Sequence, residues 1–302
     1  MKTVYHPGEL KIQEKVGARE AADHVGRTIY PLIAHMFVDF IQSQPLVILG
    51  FSDDAGETWA SLLTGEPDFM QVVDEQTLRI KALPHEGDPL ERELQDGSEL
   101  GLLLIDFATR RRLRLNGRGE MERDGFLVHA RQVYANCPRY IQARKCEWKK
   151  MSAATPKPGT SGNNLNPGQQ QRIRQADTFF IASTHPVGGA DVSHRGGFPG
   201  FVQVMDEQSL IWPEYNGNSM FNTLGNICEN PKAGLLFPDF ENGGTLQLSG
   251  TAEIVWDEQR AADFPGAERL IVFKTARVIQ TDKAMGLCCS FLEYSPDNPW
   301  PF

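Results

Sequence analysis

The segment Phe69–Leu78, FMQVVDEQTL, returns at Phe201–Leu210 as FVQVMDEQSL, with seven identities in ten positions and an offset of 132 residues. The match runs outward on both sides. Upstream, Ser61, Gly65 and Pro67 fall on Ser193, Gly197 and Pro199. Downstream, GLLLIDF from Gly101 falls on GLLFPDF from Gly234, and LRLNGRG from Leu113 on LQLSGTA from Leu246, now at an offset of 133. Four aligned blocks exclude coincidence, so the chain is one unit written twice, and any fold or site has to accommodate that duplication. At 302 residues each copy has enough chain to bury a core of its own.

Within a copy, apolar residues alternate as Leu246 and Leu248 do around Gln247, and glycine-rich stretches separate the segments, the pattern of antiparallel strands. Between the FxQVxDEQ strand and the GLL strand the spacing predicts a short helix. It covers Pro89–Gln95 in the first copy, with Leu90 and Leu94 four apart, and Met220–Cys228 in the second, with Met220 or Phe221 set against Leu224. A last strand is expected at Val128–Tyr134 and at Ile271–Val278. Ahead of the first copy, Ala22, Val25, Ile29, Ile33, Met36, Phe37 and Phe40 predict one amphipathic helix over Ala18–Gln42, whose His24 and His35 take no role. Residues 151–168, MSAATPKPGTSGNNLNPG, are nearly devoid of large apolar side chains and predict a flexible linker. The expected organisation is mainly β: residues 1–150 as a helix and a first barrel, 151–168 as linker, 169–302 as a second barrel.

Composition narrows the function classes. A hydrophobic content of 40%, a charged content of 23% and no long apolar run describe a soluble globular chain that does not span a membrane. The first residues lack the apolar stretch of a secretory signal, which leaves a cytoplasmic expectation. A net charge of −9 argues against a nucleic-acid surface. Cys137, Cys146, Cys228, Cys288 and Cys289 are odd in number and lack CxxC spacing, so no metal site is assigned and most are expected to be reduced. The cluster Arg110, Arg111, Arg112 and Arg114 reads as a solvated hairpin unless an anion lies beside it.

Three segments of the second copy, ADVSHRGGFPGFVQV (Ala190–Val204), IWPEYNGNSMFNTLGNICENPKAGLLF (Ile211–Phe237) and LQLSGTAEIV (Leu246–Val255), carry a family resemblance. So do WASLLTGEPDF, TRRRLRLNGRGEM and NCPRYIQAR in the first copy. With them the chain resembles the pyridoxamine 5'-phosphate oxidase-like, FMN-binding split-barrel family. The resemblance implies two tandem split-barrel units with FMN at a seam between barrels. In that family the two barrels usually come from two subunits. Here the seam lies either within one chain or across a homodimer.

FMN needs donors for a dianionic phosphate and an apolar wall for its ring. The resemblance and the chemistry together point to Ser193 and Arg195 on the strand that resembles the family's flavin-binding strand. They point also to Asn218, Asn222, Thr223 and Asn226 near the start of the second-copy helix, where backbone N–H groups are free. Arg114, Arg139 and Tyr140 approach from the first copy. Asn218 also suits a simple turn, and Asn222 or Thr223 a helix cap. Enzymes of the family place an Arg-Lys pair near Asn222-Thr223, and closer relatives an Arg where this chain has Ser219-Met220. Each missing charge-assisted bond costs about 1.5–3 kcal/mol, roughly one to two decades of affinity, and implies weak FMN occupancy unless Arg195 or the Arg111, Arg112, Arg114 cluster compensates. In the first copy Asp68 replaces Gly200, and Leu62-Leu63 replace His194-Arg195, so one site per chain is expected. Strand alternation turns His194 away from Ser193 and Arg195. Cys137, followed by Pro138, reads as a packed turn. No catalytic residue is assigned, because flavin itself supplies redox chemistry. The expectation is an FMN-dependent oxidoreductase acting on a small molecule, with NAD(P)H binding transiently since no GxGxxG follows a strand. A non-catalytic flavin- or cofactor-binding protein is the alternative.

Overall fold

The computed structural model describes residues 3–148 and 157–300. Helices α1 (Pro7–Lys15), α2 (Arg19–Gly26) and α3 (Val38–Ser43) precede the first unit. That unit holds β1 (Leu46–Ser52), β2 (Thr58–Thr64), β3 (Met70–Asp74), β4 (Thr77–Ile80), α4 (Leu90–Glu93), β5 (Glu99–Asp106), β6 (Arg111–Glu122) and β7 (Gly125–Asn136). After β8 (Ala143–Trp148), β9 (Lys157–Gly162) and α5 (Pro167–Gln175) the series repeats. The second unit holds β10 (Thr178–His185), β11 (Gly189–Gly196), β12 (Gln203–Val204), β13 (Ser209–Tyr215), α6 (Asn222–Glu229), β14 (Lys232–Pro238), β15 (Thr245–Val255), α7 (Glu258–Ala261) and β16 (Ala267–Asp282), and β17 (Leu287–Glu293) closes the chain.

The two main sheets have one strand order. It is β2-β1-β5-β6-β7-β4-β3 in the first and β11-β10-β14-β15-β16-β13-β12 in the second, with every pairing antiparallel. The copies agree even in their irregularities: the register shifts at Asn116/Gly117 in β6 and at the aligned Ser249/Gly250 in β15. At both glycines a Cβ would run into a carbonyl oxygen of the neighbouring strand, His129 or Lys274, and only glycine permits so close a bulge. Each unit fills its own core, around Leu49, Leu102 and Phe126 in one and Phe179, Trp212 and Phe273 in the other.

A third apolar cluster, with Ile48, Leu103, Phe180, Val192 and Leu236, joins the units. The join has a pseudo-two-fold. Ser52 and Thr184, equivalent under the 132-residue offset, meet at 3.2 Å, and the equivalent Phe107 and Phe240 pack edge to face at 5.2 Å. Equivalent residues touch each other only on a dyad, so the chain builds within itself the isologous interface of a dimer. The glycine that opens each GLL strand follows from this. A Cβ on Gly101 would lie 2.6 Å from Asp191 Cα, and one on Gly234 would lie 2.5 Å from Trp59 Cα, the equivalent contact.

Two expectations are corrected. Ala18–Gln42 is not one helix: Pro31 cannot continue the ladder, and Tyr30 before it bridges Val133 as extended backbone. Within the expected linker, residues 151–156 lie outside the described residues, whereas 157–162 form β9 on the edge of β16, and Asn166 caps α5 through a capping box with Gln169. Of the five cysteines, Cys137, Cys228 and Cys288 are free, as expected of most of them, and Cys146 is joined to Cys289 across the β8–β17 pair.

Candidate functional site at the seam of the two units

β6 of the first unit passes β11 and the start of α6 of the second, and a cleft opens there. Arg112, Arg114, Cys137, Arg139 and Tyr140 line one side, and Ser193, Arg195, Tyr215, Asn218 and Phe221–Leu224 line the other. Eight of the nine residues expected from the sequence border this one space, and it lies within a single chain. Asn226 does not border it. α6 aims its N-terminus at the cleft, and four residues of helix carry Asn226 about 6 Å deeper, where it donates to Ser183 Oγ at 3.0 Å.

Arg114 is the hub. Its Nη1 donates to Tyr134 Oη and Asn222 Oδ1, both at 2.9 Å, and its Nη2 to Ser193 Oγ at 2.6 Å, while Asp191 Oδ1 lies 3.1 Å from Nη1. Its Nε is buried without a partner. Ser193 Oγ accepts also from Thr223 Oγ1 at 2.9 Å, which leaves the Ser193 proton free to donate. The Asn222 amide nitrogen donates to Glu9 Oε1 at 2.5 Å, so α1 reaches the site too. Burial pushes the Glu9 carboxyl up to about 7, with Asp191 adding to the rise.

The remaining cations divide by partner. Arg195 gives its bidentate pair to Glu214, at 3.0 and 3.1 Å. Arg139 donates to Asn216 Oδ1 at 2.8 Å, and Tyr140 donates to the Asn216 carbonyl at 2.8 Å. Among the described residues Arg112 meets no carboxylate: its Nε donates to the Cys137 carbonyl at 2.9 Å, and its Nη2 lies 3.8 Å from Cys137 Sγ. Burial, with the like charges of Arg114 and Arg195, pushes Arg112 down to about 10 against a pull from Cys137. Arg112 is thus a guanidinium held by a carbonyl, beside Arg114 and Arg195, which pair with Asp191 and Glu214.

α6 adds donors. It begins after Phe221 in left-handed conformation with no side-chain cap, so the first-turn N–H groups border the cleft unpaired within the helix. Asn218 makes a local turn, accepting from Met220 N at 3.1 Å. Tyr140 and Tyr215, with ring centroids 4.9 Å apart, give the cleft an aromatic wall. His194 also borders the cleft and accepts from Arg195 Nη1 through its carbonyl, while its ring packs edge-on against Phe180, and burial holds the imidazole neutral with both nitrogens unpartnered among the described residues. Glu9 and Glu214 are not among the residues that the sequence pattern singles out. The run His6-Pro7-Gly8-Glu9 is a helix-start signature that could have revealed the first.

Two units of one strand order, with a cleft at their join lined by Arg112 and Arg114 from one and by Ser193 and Asn222 from the other, define the class of protein. The model of the family described as pyridoxamine 5'-phosphate oxidase matches residues 165–286, and that part of the chain belongs to this split-barrel family, with the N-terminal half forming a second sheet of the same order. No curated protein matches the chain. Among solved structures it is similar to HupZ of Group A Streptococcus, at 15% identity over 38% of this chain and 94% of that one, with a TM-score of 0.32. An FMN-binding protein from Syntrophomonas wolfei is 10% identical over 37% of this chain and 84% of its own, with a TM-score of 0.29. A FAD-binding protein from Mesorhizobium loti is 11% identical over 39% and 96%, with a TM-score of 0.27. Among the described residues no helix is long and apolar enough to cross a membrane.

Proposed function

We propose that the seam cleft binds FMN and that the chain is a flavin-dependent oxidoreductase acting on a small molecule. The observation that carries this reading is the convergence of the carboxylate-free Arg112, the Arg114–Ser193–Thr223 group and the uncapped start of α6 on one cleft. Those donors suit a phosphate monoester, and Tyr140 and Tyr215 suit a flat ring. The cations that the family carries near Asn222 and Thr223 are supplied here from the other unit: Arg114 occupies the space beside Asn222, and a second cation at that position would face it. Bound flavin supplies the electron chemistry, so the protein's part is to hold and orient it. Any reduced nicotinamide is a transient visitor to the same cleft.

The test is titration of the purified chain with FMN, followed by quenching of flavin fluorescence, and then oxidation of NADH or NADPH by the loaded protein. Saturable quenching with turnover is expected. Saturable quenching without turnover of any reduced nicotinamide or dioxygen consumption would favour the non-catalytic binding protein. No quenching and no thermal shift would end the reading.

A further inference from the structure

The pseudo-dyad that makes one seam site must make a second, and the residues there are specific. Ser61 is the equivalent of Ser193 and Gln247 the equivalent of Arg114. Their cross-unit contact is preserved: Gln247 Nε2 donates to Ser61 Oγ at 3.0 Å, as Arg114 Nη2 donates to Ser193 Oγ at 2.6 Å. What differs is the segment just before the short helix. At the second-copy end, Ser193 keeps its proton and no acid precedes α6. At the first-copy end, Asp88 precedes α4 and turns inward, where it is 4% exposed. Its Oδ1 accepts from Ser61 Oγ at 2.6 Å and from Leu90 N at 2.8 Å, its Oδ2 accepts from Gln247 Nε2 at 3.2 Å, and His85 Nε2 lies 3.7 Å from Oδ2.

We propose that Asp88 is an internal ligand: its carboxylate fills, at the first-copy end of the seam, the place that an external anion takes between Ser193, Arg114 and α6. Each chain therefore binds one anionic ligand rather than two. The comparison rests on the reading of the Arg114 end as an anion site, but the arrangement around Asp88 stands on its own distances. Loss of the cation at 247 and gain of the carboxylate at 88 are complementary. Where the second-copy end holds a guanidinium, paired on one side with Asp191, the first-copy end holds the neutral Gln247 amide with a tethered carboxylate, and Asp88 satisfies buried donors of Ser61, Leu90 and Gln247 that would otherwise be left unpaired.

Removing the tether should reopen the place to a small free anion. Thermal unfolding of the full chain and of Asp88→Ala is measured in chloride buffer with increasing sodium formate and, separately, inorganic phosphate. D88A is expected to melt several degrees below the unaltered chain and to recover most of that loss in formate, while the unaltered chain gains little, because only the variant has a vacancy that ligand binding stabilises. Equal formate responses of the two proteins would overturn the proposal. If D88A does not fold, the isosteric Asp88→Asn decides. A lower Tm than the unaltered chain supports a required anion, since the amide cannot accept from Gln247 while serving Ser61 and Leu90; an unchanged or higher Tm overturns it. Neither arm uses flavin, so failure of FMN binding and failure of this proposal give different results.

Discussion

Arginine by arginine, the seam separates guanidinium groups paired with carboxylates from one that is not. Arg195 is the residue whose position on the strand most invited a role with phosphate, yet Glu214 already satisfies its bidentate face. Arg112 was visible only as one of a run of basic residues, and its freedom from carboxylates depends on which side chains the second unit brings beside β6. A sequence shows the charge and not the counter-charge, so the arginines could be named while their pairing with Asp191, Glu214 or a carbonyl could not. The expected outcome is that Arg112→Ala weakens FMN by about one to two decades, the loss of one charge-assisted bond of about 1.5–3 kcal/mol, with little change in Tm. Arg195→Ala should do the reverse, lowering Tm by leaving the Glu214 carboxylate unpaired and changing FMN affinity by less than R112A. Fluorescence titration and thermal melting of the two variants check both halves. The turn before the FxQV strand shows a substitution that the fold absorbed: Asp68 takes a φ of 68° where its equivalent Gly200 takes 92°. Asp tolerates that region at some cost, so Asp68→Gly is expected to leave stability unchanged or raise it by up to about 1 kcal/mol, measured by denaturant unfolding.

Among the elements, α1 is one that sequence periodicity missed, as it missed α5 and α7, because a nine-residue helix with few apolar residues gives a weak pattern even though its capping box is complete. It lies against α6 through a glycine pair: a Cβ on Gly225 would come within 2.6 Å of Glu9 N, and one on Gly8 within 2.2 Å of the Gly225 carbonyl oxygen. That closeness puts Glu9 within reach of Asn222, so α1 braces the helix that forms the cleft. Gly225→Ala is expected to destabilise by about 1–3 kcal/mol through overpacking and to weaken FMN with it, because α6 and Glu9 move apart. Glu9 also gives α1 a pH dependence. Its folded value, about 7, exceeds the ordinary 4.5, so the native state binds more protons than the unfolded state between those values, and this residue's contribution falls as pH rises from about 4.5 to 7. His6 on the same cap works oppositely: burial pushes it down to about 4 from 6.5, and its contribution rises with pH across that interval. The two largely cancel in the unaltered chain. Glu9→Gln removes one of them, so the stability of E9Q relative to the unaltered chain should climb with pH between about 4.5 and 7, by at most about 3 kcal/mol, and stay level above it. Denaturant unfolding at a series of pH values measures that difference directly, and a flat difference would show that Glu9 does not titrate in this range.

At the scale of the whole molecule, the duplication could be read from four aligned blocks, and the common strand order with its shared bulge follows from it. What the blocks could not show was the way the copies face each other, since a dyad is a relation between surfaces and leaves no period in a sequence. Only in retrospect do the aligned glycines at 101 and 234 mark it, each lying on the backbone of the other unit. The tie across the ends was equally hidden. Cys146 and Cys289 are 143 residues apart, and nothing in an odd set of five cysteines selects that pair. The geometry of the tie says what it does. β17, at the end of the second unit, pairs with β8, at the end of the first, and the bond lies in the apolar cluster that joins them, so it holds the units together along the same face that places β6 against β11. Its stabilisation comes mainly from restricting the unfolded chain, and although a loop of this size would give roughly 5 kcal/mol by chain entropy alone, about 2–4 kcal/mol is the typical magnitude. Reduction, or the double change Cys146→Ser with Cys289→Ser, should therefore lower the free energy of unfolding by about that amount. Because the cleft is assembled from both units, FMN binding should weaken in parallel as the seam loosens. If reduction lowers Tm but leaves flavin affinity untouched, the apolar join alone is enough to hold the seam in register, and the disulfide stabilises the chain without shaping its site.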